Sequence, residues 1–149
     1  MRYQGGKSRI ARPIAETIRR MYPTCTEIWE PFCGGGAVTL ALSKVGFKVH
    51  ASDNHEDLIL MWQAAMRGDS AVFVSVSEDE FKALKHAPPS ARRGFVRFGA
   101  SFGGNFNAGY GRHGTASKPN REFCWQDSQR AINKLVGESG RGIEFSRRD

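Results

Sequence analysis

Glu27-Ile28-Trp29-Glu30-Pro31-Phe32-Cys33-Gly34-Gly35-Gly36-Ala37-Val38-Thr39-Leu40 decides the fold. A short strand here runs into a glycine turn that opens directly into a helix, and seventeen residues beyond Gly36 stands Asp53, where a second strand ends. Without a Cβ, glycine tolerates positive φ and lets a ligand approach the backbone closely. The free N–H groups of the following helix then face that ligand. The arrangement suits a nucleoside-like cofactor, with Asp53 placed to accept hydrogen bonds from ribose hydroxyls. The same acid is also placed to cap the next helix, over residues 55–66, and its two oxygens make the roles partly compatible.

Working outward, residues 37–44 form the helix after the glycines, with Val38, Leu42 and Val45 available to the sheet and Gly46 ending it. Residues 47–52 are a second strand that delivers Asp53 and Asn54 to the same sheet edge. Ile28 and Trp29 are adjacent and bulky, which predicts a parallel strand covered by helices on both faces. Glu30 ends that strand, where open α/β sheets hold their ligands; a turn-forming acid without a ligand is the other reading. Upstream, Arg2-Tyr3-Gln4-Gly5-Gly6-Lys7-Ser8 makes a pliable turn that can bring the Lys7 amine toward a carboxylate or anion, with Tyr3 against a flat ring. Ile10, Ile14 and Ile18 then predict the core stripe of a helix over residues 8–21, capped by Ser8, with Pro13 in its first turn.

Downstream, Leu58, Ile59, Met61, Trp62, Ala65 and Met66 fill the inner face of the third helix. Ser77-x-x-Glu80 is a capping box that opens a short helix, and Pro88-Pro89 breaks it. Residues 95–112 hold five aromatics, five glycines and two arginines, too irregular for one helix. Aromatics offer stacking or wedge surfaces there, and Arg97 and Arg112 offer phosphate contacts. With the polar residues that follow, this predicts a DNA-contact loop at 97–122, a packed surface loop being the alternative. A last helix over 123–136 and a third strand over 141–146 complete the chain, and three strands leave an edge that needs cover.

A chain of 149 residues makes one domain. Residues 1–91 carry 11 Lys+Arg against 10 Asp+Glu, and residues 92–149 carry 11 against 5, so +6 of the net +7 lies in the last part. That concentration points to a phosphate-facing surface. No run of 18 apolar residues is present and the first residues lack a signal-peptide pattern, so the expected location is the cytoplasm, away from membranes. Cys25, Cys33 and Cys124 have neither close pairing nor histidines at ligand spacing, and no metal or disulfide is expected.

Taken together, Tyr3-x-Gly5-Gly6-Lys7, Glu30-Pro31-Phe32-x-Gly34-x-Gly36, Ser52-Asp53-x-x-x-Asp57-Leu58 and Phe98-Gly99-x-Ser101-Phe102-Gly103-Gly104 with Gly109-Tyr110 resemble the N6-adenine DNA methyltransferases that use S-adenosylmethionine, of the type found in enterobacteria and many bacteriophages. The resemblance implies an α/β fold, a partial Rossmann-like methyltransferase with a mainly parallel sheet and flanking helices, residues 1–149 forming its amino-terminal cofactor-binding part. It further implies S-adenosylmethionine held by Tyr3, Gly5, Gly6, Lys7, Glu30, Pro31, Phe32, Gly34, Gly36 and Asp53. Double-stranded DNA would meet Arg97, Ser101, Phe102, Asn105, Tyr110, Arg112, Lys118 and Arg121. The substrate would be an adenine turned out of the duplex.

One departure stands out. The family's Asp/Asn-Pro-Pro-aromatic clamp on the target amino group has no counterpart here, because Pro88-Pro89 lies between Ala87 and Ser90. The chain is therefore expected to be a truncated enzyme without catalytic residues of its own, inactive alone, with a homodimer or a complementing carboxyl-terminal fragment covering the first strand. A catalytically silent module that binds DNA or cofactor is the alternative. A nicotinamide dehydrogenase is a more distant reading, for which three glycines after Pro-Phe make a poor dinucleotide turn.

Overall fold

A computed structural model of the chain describes residues 1–111, 124–139 and 142–147. It is an α/β structure: three parallel strands in the order β1 (Glu27–Glu30), β2 (Lys48–Asp53), β3 (Ile143–Arg147), flanked by helices. The helices are α1 (Ala11–Met21), α2 (Ala37–Lys44), α3 (Glu56–Met66), α4 (Glu78–Ala83), α5 (Ala91–Gly94) and α6 (Cys124–Glu138). This is the partial Rossmann-like methyltransferase fold that the sequence led us to expect. Among the described residues, no helix is long and apolar enough to cross a membrane.

Both parallel connections step in the same direction across the sheet, and right-handed crossovers therefore put their helices on one face. Val49, Ala51, Ile143 and Phe145 point into that layer, where Leu42, Phe47, Leu58, Met61, Trp62, Ile132 and Leu135 are buried with them. The expected two-sided cover of β1 is corrected. Trp29 is 56% exposed on the opposite face, in register with His50 and Glu144. Its ring stacks on His50 at 4.6 Å between centroids, and the imidazole lies between the Glu27 carboxylate at 2.8 Å and that of Glu144 at 3.0 Å. β1 is an edge strand, paired only with β2 among the described residues.

The first helix also differs from expectation. It starts at Ala11, with Ile10 exposed at its amino end and no side-chain cap from Ser8. Pro13 does fall in its first turn. Ala11 and Ala15 are buried while Ile14 and Ile18 are half-buried, because α1 packs closely on α2 through small side chains and not along an isoleucine stripe. The Ser77 hydroxyl accepts from the Glu80 amide at 3.1 Å as a capping box requires, but the Glu80 carboxylate turns to Arg92.

The third helix is joined to the fifth by an internal ion pair. Asp57 Oδ2 takes Arg93 Nη1 at 2.9 Å while Oδ1 accepts from the Ser90 amide at 2.8 Å. Gly94 lies so near α3 that a Cβ there would be 2.2 Å from the Asp57 carbonyl oxygen. Beyond α5 the chain widens into one π-helical turn over Phe95–Gly99, and Phe95 and Phe98 point inward as expected.

Candidate cofactor cleft and nucleic-acid loop

At the carboxyl edge of the sheet, Asp53 ties two strand exits together. Its Oδ2 accepts from the Gly34 amide at 3.0 Å and its Oδ1 from the His55 amide at 3.1 Å. The acid therefore does bond the backbone ahead of α3, although His55 occupies the cap position. The glycine turn is fixed from three sides. Trp62 Nε1 donates to the Gly34 carbonyl at 3.0 Å, the Cys33 amide donates to the Ser52 carbonyl at 2.9 Å, and Gly36 caps α2 at φ 73°. A Cβ on Gly36 would stand 2.7 Å from Leu135 and 3.1 Å from Trp62, so this glycine lies beneath the turn, against the core.

The amino-terminal segment is laid across the same turn. A Cβ on Gly34 would be 2.8 Å from the Tyr3 ring, which packs at 5.4 Å on Phe98. The Gly6 amide returns to the Tyr3 carbonyl at 2.9 Å, and Lys7 Nζ rests on the Gly5 carbonyl at 2.7 Å. Arg2 reaches Asp127 on α6 at 2.9 Å, and the Gln4 side chain takes Asn105 Nδ2 at 2.7 Å. These contacts leave a cleft of about 250 Å³, with Tyr3, Gly5, Gly6 and Lys7 on one wall and Glu30, Phe32, Cys33 and Gly34 on the other.

Of the ten residues expected to hold a cofactor, seven thus line one cavity. Pro31 is exposed beside it, Gly36 lies below it, and Asp53 stands behind Gly34. Burial pushes the Glu30 carboxyl up to about 7; the Thr39 hydroxyl, bonded to it, pulls it down and the Asp53 carboxylate pushes it further up. Burial likewise raises the Cys33 thiol, helped by Glu30 and Asp53. Two residues that shape the site were not anticipated. Thr39 carries a signal only if the helix phase is known, and Trp62 looks like any core tryptophan until its indole N–H finds the Gly34 carbonyl.

The aromatic–glycine stretch closes on itself. Ser101 and Tyr110 form an antiparallel bridge, and the Phe102 amide donates to the Gly109 carbonyl at 2.9 Å. Phe102 is 76% exposed at its tip. Arg97 and Ser101 are placed elsewhere than a surface reading puts them. Arg97 is buried, donating to the Phe81 and Phe106 carbonyls, and Ser101 is buried, donating to Phe98. Asn105 is half-buried against Gln4, and the Tyr110 hydroxyl donates to the Val76 carbonyl at 2.9 Å. Arg112, Lys118 and Arg121 lie outside the described residues.

A family model described as D12 class N6 adenine-specific DNA methyltransferase matches residues 3–120, a span that runs from the Tyr3 segment through both glycine-rich stretches. No curated protein matches the chain.

Proposed function

Because the chain belongs to the D12 class of N6 adenine-specific DNA methyltransferases, we propose that its cleft holds S-adenosylmethionine and that its aromatic–glycine loop holds duplex DNA. The observation that carries this reading is the meeting of two segments some twenty-five residues apart, Tyr3 to Lys7 and Glu30 to Gly34, across one cavity with the Asp53 carboxylate behind it. The residues fit the cofactor's chemistry. Lys7 and Glu30 present a cation and an acid on opposite walls, matching the carboxylate and ammonium of the amino-acid end. Asp53, buried just behind the cleft wall, holds the Gly34 amide with one oxygen and keeps a further lone pair on each oxygen with which to meet a ribose hydroxyl once the cofactor is seated. When bound, S-adenosylmethionine supplies an electrophilic methyl group on a sulfonium centre.

The chain's own part is positioning. Tyr3 sits over the glycine turn and lines the cleft, and holding donor and acceptor in line accounts for much of the rate in such transfers. The amino nitrogen of adenine is out of reach inside a paired, stacked duplex, so the base must be turned out. Phe102 is the exposed wedge for that step, and Asn105, Tyr110, Arg112, Lys118 and Arg121 supply the surrounding contacts. Ser101 supports the loop from inside.

Residues 1–149 contain no acid-Pro-Pro-aromatic clamp, and Pro88 and Pro89 stand ahead of α5, away from the cleft. We therefore assign this chain cofactor and DNA binding, with the clamp supplied by other residues or, in the silent-module reading, not at all. The edge of β1, unpaired on one flank among the described residues and with Trp29 56% exposed, is the place for a further strand from a second copy or a complementing fragment.

Calorimetry tests the cofactor assignment: S-adenosylhomocysteine binds and NAD does not, Asp53→Asn weakens binding and Asp53→Ala weakens it further. Equal affinity in parent and both variants would remove Asp53 from the site. A methylation assay on adenine-containing duplex tests both readings of the missing clamp together, since multiple turnovers by this chain alone would defeat them.

A further inference from the structure

Three arginines follow the Pro-Pro break, and they are treated unequally. Arg92 is paired with Glu80 at 2.7 Å and Arg93 with Asp57 at 2.9 Å. Arg97, the most deeply buried at 2% exposure, has no carboxylate partner among the described residues. Its guanidinium lies 4.1 Å above the Phe81 ring and 5.6 Å from that of Phe106, and donates only to the two carbonyls of those same residues. Its Nε is buried without an acceptor. Burying a charge that no opposite charge compensates is strongly unfavourable. Burial, followed by the nearby Arg93 charge, accordingly lowers the Arg97 pKa.

Arg97 is one of the residues lining a recess of about 350 Å³, separate from the cofactor cleft, between α4 and residues 107–110 of the loop. Lys82 and Lys85 stand at it, and Glu78 is the one acid among the described residues that lines it. Glu78 is held by Lys82 at 3.0 Å. Three cations against one engaged acid leave the recess positively charged, while Phe81 and Tyr110 give it flat walls.

We propose that this recess is a phosphate-binding site, and that the phosphate it takes is a backbone phosphodiester of the DNA held by the neighbouring loop. The second half rests on the function proposed above; the first does not. A planar guanidinium fixed by two carbonyls and a ring is preorganised for a phosphate oxygen, and the anion supplies the charge that Arg97 lacks. The phosphate contributes affinity and register and carries no sequence information. Phe102 and this site would then grip the duplex from one loop, the ring at its tip and the charge at its base.

The experiment has two arms, run on the parent chain, Lys85→Gln and Arg97→Gln, each first shown to bind S-adenosylhomocysteine like the parent. In the first arm, duplex DNA binding is followed by anisotropy across salt concentrations. Each variant is expected to lower the slope of log K against log salt by about one and to weaken binding roughly tenfold at low salt. In the second arm, inorganic phosphate is followed by ³¹P line broadening at constant ionic strength. Broadening with the parent and its loss in the variants is expected. Lys85→Gln keeps the test valid if Arg97→Gln does not fold. Phosphate broadening lost in the variants while DNA slopes stay unchanged, or while the parent binds no DNA, would support a site for free phosphate and overturn its DNA assignment. Unchanged slopes together with unchanged or absent broadening would overturn the site itself.

Discussion

The two glycine-rich stretches of this chain look alike in sequence and differ most at their exposed turns. Around Gly34 and Gly36 the missing Cβ atoms are already replaced by neighbours, the Tyr3 ring above and Leu135 and Trp62 below, so the turn is a filled mould. At Gly103, also at positive φ, nothing lies within 4 Å, and its neighbour Phe102 stands out in solvent. Glycine serves close approach in the first stretch; in the second it serves backbone shape alone at Gly103, while Gly104 and Gly111 again make room for close neighbours, Arg2 at 2.5 Å and Cys124 at 2.6 Å from an added Cβ. The first is suited to hold one small rigid ligand, the second to present a side chain to a large one.

Four measurements break or sharpen that contrast. The largest effect is expected for Gly36→Ala, which combines positive-φ strain with overpacking against Leu135 and Trp62 and should cost about 3 kcal/mol in denaturant unfolding. Glu30→Gln comes next and has a pH signature. The folded-state pKa of Glu30 is raised to about 7, so between about 4.5 and 7 the folded chain holds more protons than the unfolded one and parent stability falls as pH rises. Gln keeps the acceptor for Thr39 but has no charge, so the variant should gain about 2 kcal/mol over the parent at pH 8 and little at pH 4. A parallel pair of pH profiles would show that Glu30 is not charged at a cost in the folded cleft.

Gly103→Ala should lose only about 1 kcal/mol, the strain term without the collision. A loss equal to that of Gly36→Ala would erase the distinction between the two turns. Phe102→Ala should have the smallest effect on stability, within about 0.5 kcal/mol, because its ring is already solvated. Its consequence belongs to DNA, where removing one stacking ring should weaken binding about tenfold. A folding defect instead would mean that the ring has a packing role.

Much of the scaffold was legible because its signals are local. The turn residues fixed where α2 begins and ends, Asp53 closes β2 as the spacing required, and Ser77 caps α4. What was not legible depends on which distant residues meet. Nothing in Tyr3 alone says that its ring lies on Gly34, and nothing in Trp62 says that its indole N–H holds the same glycine. A surface position was expected for Arg97 because a charged residue among glycines and aromatics looks solvated, whereas Phe81 on α4 and Phe106 of its own loop pack against it. The bare outer face of the sheet was hidden for a similar reason. Adjacent bulky residues in a strand predict two-sided burial, and only the direction of both crossovers reveals that, among the described residues, one side has no helix.

β1 keeps one flank of amides and carbonyls without a neighbouring strand among the described residues. Its consequence is that the melting temperature of this chain need not be a fixed number. Anything that adds a strand there stabilises the native state by mass action, so the transition should climb with the concentration of whatever occupies the edge, and with that of the chain itself where copies pair.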